Sequence, residues 1–143
     1  IGLSHLIPGD RERARPFFDR WAAAWGGGTE RQVAELFAAL DGRGDRKAFA
    51  HSLLAFPERS WRDPTSGNLF GDLDVPVLLM LLGEQGHALD YVDRSSHGTG
   101  LDLAWGVLMP SLDPIRCEPR FVAAVERLRI VDHRAARLCA SKN

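Results

Sequence analysis

Apolar side chains recur at helical spacing along this chain, and glycine or proline interrupts each run. The first run occupies one face of a helix at positions i, i+3, i+4, i+7 and i+11: Ala14, Phe17, Phe18, Trp21 and Trp25. Asp10 stands where it can cap this helix, and three glycines after the run end it. No segment alternates with period two, so the sequence predicts an all-α fold with essentially no sheet.

Seven further helices are predicted from runs of the same kind. Thr29, Asp45 and Asp74 are predicted caps, Pro119 has a favoured first-turn position, and Pro110 is interpreted as a helix stop. The run at 77–82 is apolar on all sides, and we interpret it as a buried helix because no other segment could pair with it as a strand. The runs cover residues 33–40, 49–56, 77–82, 88–92, 101–109, 121–128 and 132–139.

Small residues recur at similar intervals in three of the predicted helices. Ala14 and Ala48 are 34 residues apart, and Ala88 follows 40 residues later, after an irregular insert. A small residue at this position lets two paired helices pack closely. The interval resembles the period of the tetratricopeptide repeat, although only Leu82-Gly83 matches part of its usual Trp-x2-Leu-Gly-x2-Tyr pattern. An irregular helical bundle is the alternative.

The C-terminal end carries a second resemblance, in the motif Trp105-x4-Pro110-x5-Arg116-x2-Pro119-Arg120-Phe121-x6-Leu128. It resembles the segment that closes the tetratricopeptide-like region of bacterial adenylate cyclases and winged-helix transcriptional regulators. The resemblance implies a cap, in which Pro119 starts a helix, Phe121 plugs the open end of the superhelix and Trp105 seals its side. Such tails usually have glycine where this chain has Arg129, so we expect a different turn there.

These patterns together predict antiparallel helix pairs stacked as a short right-handed superhelix, a tetratricopeptide-like α-solenoid with a C-terminal cap. We expect one helical-repeat domain over 1–143, with first repeats in 1–57, an irregular insert at 58–73, a last helix pair in 74–100 and the cap in 101–143. The chain begins at Ile1 without Met, and Leu3, Leu6 and Ile7 resemble the end of an earlier element. We therefore expect a fragment of a larger protein, whose incompletely covered N-terminal face would favour a homodimer.

Composition limits the classes of partner. The 143 residues carry a formal net charge of −1, which gives no field for nucleic acid or acidic membranes. The longest apolar run is far shorter than the roughly 20 residues that span a bilayer, and no signal peptide is visible. We interpret the only cysteines, Cys117 and Cys139, as separate thiols of a reduced protein. A cytoplasmic chain is therefore expected.

Several motifs with chemical associations have simpler structural interpretations. The segment 95–100, with its His-Gly-Thr triplet, lacks the scaffold and nucleophile of a protease and is interpreted as a helix end. Arg43-Gly44-Asp45 spells an integrin-binding triplet but is interpreted as a turn plus a cap. The glycines at 26–28 lack the Lys-Ser/Thr of a phosphate-binding loop. Cys117, His133 and Cys139 are too scattered for a zinc motif.

The favoured function is a non-catalytic protein-interaction or regulatory module of a bacterial signalling or transcription-regulating protein, with no cofactor or metal. Its partner would be a peptide, another domain or a second copy. The candidate partner-binding residues are Arg31, Gln32 and Glu35 on a polar helix face, with Trp61 and Phe70 in the insert, which either cover the array or form a contact surface. The alternative is a small helical metal-binding or enzymatic domain that uses His87 and Asp90. Glu84, His87 and Asp90 follow one another at three-residue spacing and could share one helix face. A structural spacer is a third interpretation.

Overall fold

In the computed structural model of the chain, the described residues are 2–7, 9–26, 28–55, 70, 74–97 and 107–140. Every regular element that these residues form is a helix, and they contain no strand. The all-helical prediction is therefore confirmed for this part of the chain. The molecule divides into two compact units, residues 1–71 and 72–143, whose boundary lies inside the predicted insert 58–73. The predicted single repeat domain stays a prediction.

Unit 1 is built from helices that each pack on the next along the chain. They are α1 (Gly2–Leu6), α2 (Arg11–Trp25), α3 (Thr29–Leu40) and α4 (Arg46–Ala55). Phe18 lies in the middle of the core, with its ring centroid 5.8 Å from that of Phe37 and 6.3 Å from that of Phe70. The predicted stripe of α2 is confirmed at Ala14 and Phe18, which are buried, whereas Trp21 at 38% relative exposure lies at the surface.

The face of α2 that the sequence predicts to be incompletely covered is covered by α1. Leu6 of α1 is buried, and the His5 imidazole stacks on the Phe17 ring with the centroids 5.4 Å apart. Residues 2–6 thus form a helix that packs on its successor. Self-association of the chain stays a prediction, but this end of unit 1 supplies less apolar surface for it than the sequence indicates.

Two predicted caps of unit 1 behave differently. The Asp10 carboxylate accepts a hydrogen bond from the Arg13 backbone N–H at 3.2 Å, as expected at the start of α2. Thr29 does not cap α3. Its hydroxyl lies within hydrogen-bond distance of two carbonyl oxygens, of Ala22 at 2.8 Å and of Gly26 at 2.7 Å, and so ties the start of α3 to the end of α2.

The Arg-Gly-Asp triplet lies in the turn between α3 and α4, and the predicted turn plus cap is confirmed. Gly42 ends α3 in the left-handed region, with φ at 74°. The Gly44 N–H donates to the Ala38 carbonyl at 2.8 Å, and an added Cβ at Gly44 would lie 3.0 Å from the backbone of α3. The Asp45 carboxylate accepts from the Ala48 N–H at 3.0 Å and caps α4.

The sequence predicts that Ala14, Ala48 and Ala88 each lie where paired helices pack closely, and this prediction is wrong for Ala48. Ala14 and Ala88 are fully buried, but Ala48 is exposed. The inward face of α4 is instead formed by Phe49, Ala50 and Leu53. An alanine is small enough for either face of a helix, and the larger apolar side chains beside it decide which face turns inward.

Unit 2 contains four α-helices and a 3-10 helix among its described residues. They are α5 (Asp74–Leu81), α6 (Gln85–Ser95), the 3-10 helix Pro110–Ile115, α7 (Pro119–Arg127) and α8 (His133–Ala140). α5 packs on α6 and on the 3-10 helix, and α6 packs on α7. All side chains of α5 from Asp74 to Leu79 are buried, so the buried helix predicted at 77–82 is confirmed.

Two predictions for the C-terminal part are wrong. Pro110 starts the 3-10 helix and does not stop a preceding one, and residues 107–109 form a turn and a bend. The fixed φ of proline suits a first turn, so proline after an apolar run indicates a helix start as readily as a stop. Val122 is 38% exposed, and Ala124 takes its predicted place in the buried stripe of α7 with Phe121 and Val125. Residues 98–106, including Trp105, lie outside the described ranges.

The turn that ends α7 has the geometry usually formed by glycine, although Arg129 occupies its left-handed position. With φ at 55°, Arg129 donates its N–H to the Glu126 carbonyl at 2.9 Å, and Ile130 donates to Val125 at 3.2 Å. This is the pair of bonds of a Schellman motif, and α5 ends in the same way at Gly83. The different turn expected at this position is therefore not formed.

Candidate functional site

The polar face predicted on α3 is at the surface of unit 1. The side chains of Arg31 and Glu35 are 83% and 52% exposed, with 3.5 Å between Nε and Oε1, and Gln32 is half-buried. Phe70 is placed differently from a contact residue, since it is 1% exposed and packs edge-on against Phe49. Phe70 therefore packs in the core and does not form a contact surface. Trp61 lies outside the described residues.

Of the residues of the metal-binding alternative, Asp90 is engaged by another group, whereas His87 lies only near Glu84. The His87 Nδ1 atom lies 3.2 Å from the Glu84 Oε2 atom, without the alignment of a hydrogen bond. The Asp90 carboxylate lies 2.9 Å from Arg120 Nη1, and a guanidinium at that distance competes with a metal ion for the same oxygen. Among the described residues, no group of three or more His, Cys, Asp or Glu side chains could hold a metal ion.

Ion pairs fasten α7 to α6. Asp93 of α6 lies between two arginines of α7, 3.1 Å from Arg120 Nη2 and paired also with Arg127, whose Nε donates to the Ser96 hydroxyl at 2.9 Å. The hydrogen bond from Arg120, then that from Arg127, holds the pKa of Asp93 below its ordinary value. The carboxylate is therefore ionised at neutral pH and serves as a structural anion.

Arg116 is fully buried directly before α7, and each of its three guanidinium nitrogens has an acceptor. Nε donates to Asp113 at 2.9 Å, Nη1 to Asp132, and Nη2 to the Met109 carbonyl at 2.8 Å. The guanidinium carbon lies 5.6 Å from the centroid of the Phe121 ring. With its donors taken, Arg116 acts as an anchor for the chain and not as a free anion-binding group.

The C-terminal helix α8 is attached to the segment that precedes α7. Arg134 of α8 pairs with Asp113 at 2.7 Å, and this bond, followed by that from Arg116, holds the pKa of Asp113 below its ordinary value. Cys139 of α8 forms a disulfide with Cys117, with the Cα atoms 5.5 Å apart. The interpretation of two separate thiols is therefore wrong: the chain reverses after α7 and brings α8 back to the residue that follows Arg116.

A pocket of about 170 Å³ lies between α7 and α8. Its lining is mainly apolar, and Val122 of α7 is also exposed to solvent. We call it the α7–α8 pocket; it is lined by Arg116, Phe121, Val122, Val125, Glu126, Ile130, Asp132 and Ala135. Near it in sequence, Val131 is 73% exposed, whereas the exposed Leu108 is not part of the lining.

Sequence reasoning missed this site because it depends on contacts between distant residues. Arg116 stands in the quoted C-terminal motif without an assigned role, and only its three-residue spacing from Asp113 indicates an ion pair. Asp132 reaches the same guanidinium from 16 residues away. An even number of cysteines was the one signal that could have indicated the disulfide.

No protein-family model, curated protein or solved structure matches this chain. None of the helices in the described part of the chain has the length and apolar character needed to cross a bilayer.

Proposed function

We propose that this chain is a non-catalytic protein-interaction module whose contact surface is the α7–α8 pocket. The observation that carries the proposal is a mainly apolar pocket at the surface of unit 2, whose lining includes the exposed Val122 and the charged Glu126. An apolar centre with polar neighbours is the usual arrangement of a protein-binding surface.

The size of the pocket favours a peptide side chain over a small-molecule ligand. Sites for drug-sized molecules and cofactors usually have about 300–1,000 Å³. A pocket of about 170 Å³ suits one large apolar side chain, such as the anchor residue of a partner helix or loop. Since the guanidinium of Arg116 is occupied by its own acceptors, we expect recognition to be apolar and not anionic.

The wider identity of the module is part of the same proposal. Contacts between consecutive helices within each unit support an arrangement of paired helices. We propose that these pairs are of the tetratricopeptide-like kind and belong to a regulatory region of a bacterial signalling or transcription-regulating protein. We further propose a cytoplasmic location without direct binding to nucleic acid or membrane. There the Cys117–Cys139 disulfide would be a reversible link, because disulfides in that compartment are usually transient or redox-sensing.

One other candidate surface and one other candidate partner remain as alternatives within this proposal. The exposed Arg31–Glu35 face of α3, with Gln32, could hold a polar partner, and a second copy of the chain could itself be the partner. A metal-binding or enzymatic role for His87 and Asp90 has less support, because the Asp90 carboxylate is paired with Arg120.

Peptide selection tests the proposal. The full chain is used to select binders from a random peptide library, and the dissociation constant of each binder is measured by fluorescence anisotropy. Val122→Arg should weaken binding at least tenfold, because it places a charge in the apolar pocket. Leu108→Arg is the matched control, since it adds the same charge at an exposed apolar residue outside the lining. A failure to select any peptide, or equal effects of the two variants, would reject the pocket as the contact surface.

A further inference from the structure

The attachment of α8 differs from that of every other helix in unit 2. No described side chain of α8 is buried, whereas the neighbouring α7 buries Phe121, Ala124 and Val125. Ala135 of α8 lines the α7–α8 pocket, so open space separates part of the two helices. Ala135, Leu138 and Cys139 are half-buried, so apolar burial contributes less to the position of α8 than to that of α7.

Hydrogen bonds, an ion pair and a disulfide hold α8 in its position. The first turn of α8 is capped by Asp132, whose carboxylate accepts from the backbone N–H groups of Arg134 and Ala135 at 3.0 Å each. The Arg134 guanidinium also pairs with Asp113. Near the other end of α8 stands Cys139, bonded to Cys117. An eight-residue helix is too short to persist alone in water, so α8 depends on these links.

We propose that the Cys117–Cys139 disulfide is a redox-controlled latch that holds α8 against unit 2, and that its reduction releases α8 and opens the apolar face of α7. Both cysteines are half-buried and lie outside the apolar core, which is compatible with access by a thiol reductant. The latch concerns only the attachment of α8 and does not depend on whether a partner binds the pocket.

The reducing step uses a dithiol as the co-reactant. One thiolate of the dithiol attacks a sulfur of the Cys117–Cys139 bond, which forms a mixed disulfide and frees the other cysteine as a thiolate. The second thiol of the reductant then displaces the remaining cysteine. The protein gains two electrons and two protons as two thiols, and the dithiol is oxidised to its own disulfide.

Hydrogen exchange measured by mass spectrometry on the full chain tests the latch. We compare the air-oxidised protein with the protein reduced by dithiothreitol. Reduction should speed amide exchange in residues 133–140 at least tenfold, while exchange in α5 and α6 stays unchanged. Cys139→Ser should match the reduced protein and show no response to the dithiol.

Four results would overturn the proposal. Alkylation could show two free thiols in the air-oxidised protein, or exchange in α8 could be the same in both forms. Loss of protection in α5 and α6 on reduction would instead make the disulfide a staple of the whole unit. Arg134→Gln in the oxidised protein is the control for the ion pair, and it should change α8 exchange less than threefold. A larger change would show that Arg134, and not the disulfide, holds the helix.

Discussion

At the scale of single residues, the contrast between Arg116 and Arg120 shows how burial changes the contribution of an ion pair. Each arginine bridges two aspartates, Asp113 and Asp132 in one case and Asp90 and Asp93 in the other. The Arg116 side chain has no exposed surface, whereas that of Arg120 is 53% exposed. Removal of a buried partner leaves an unpaired buried charge, which costs far more than the loss of a solvated pair.

We therefore predict that Arg116→Met lowers the free energy of unfolding of unit 2 by about 3–5 kcal/mol, because the nearly buried Asp132 carboxylate loses its cation. Arg120→Met is the matched control and should destabilise the unit far less, because its ion pairs are solvated. Urea unfolding followed by circular dichroism measures both. Equal losses in the two variants would contradict the anchoring role of Arg116.

Arg129 provides a second residue-scale prediction. It adopts the left-handed conformation that disfavours side chains, with φ at 55°. Arg129→Gly should therefore raise the free energy of unfolding by about 1 kcal/mol. Ala123→Gly, within α7, should lower it by about 0.5–1 kcal/mol, because glycine weakens a helix interior. Thermal unfolding checks the two signs, and a destabilising Arg129→Gly would contradict the described turn.

At the scale of elements, helix pairing in unit 2 depends on Ala88. This residue is fully buried in α6, which packs on both α5 and α7. Ala88→Leu should lower the free energy of unfolding by about 1–3 kcal/mol, because the added atoms overpack the contact. Ala48→Leu is the matched control at an exposed position of α4, and it should stay within about 0.5 kcal/mol of the parent. Similar effects of the two changes in urea unfolding would contradict the assigned helix faces.

The stability of unit 2 is also expected to depend on pH. Arg134, then Arg116, holds the folded-state pKa of Asp113 below its ordinary value of 3.8. A carboxylate with a lowered pKa contributes stability that is present above the unfolded pKa and is lost as the pH falls through the folded one. Unit 2 should therefore lose stability below about pH 4. Asp113→Asn should make this acid-induced loss less steep in urea unfolding from pH 5 to pH 2.5, and an unchanged slope would contradict the assignment.

The elements that the sequence predicts correctly are those whose signals are local. The helices at α2, α3 and α7 follow from apolar stripes with glycine or proline at their ends, and their observed bounds lie close to the predicted ones. The predicted helix contact at Ala48 is wrong because alanine fits either face of a helix. The predicted helix stop at Pro110 is wrong because proline occurs at helix starts as well as after helix ends. The Arg116 cluster and the disulfide could not be predicted, because both join residues that only tertiary structure brings together.

At the scale of the whole molecule, each unit has its own apolar core, and the two candidate contact surfaces lie in different units. The sequence points to the polar face of α3 in unit 1, with Arg31, Gln32 and Glu35. The geometry of the described residues favours the α7–α8 pocket in unit 2. This difference makes the proposed function testable by location alone, before any natural partner is known.

The most direct test of the interaction proposal maps where a selected peptide protects the chain. Amide exchange is measured on the 143-residue chain with and without saturating peptide. We predict that peptide binding slows exchange in residues 119–140, which include α7 and α8, and leaves residues 29–40 of α3 unchanged. Protection confined to residues 29–40, or absent from both segments at saturation, would contradict the assignment of the contact surface to the α7–α8 pocket.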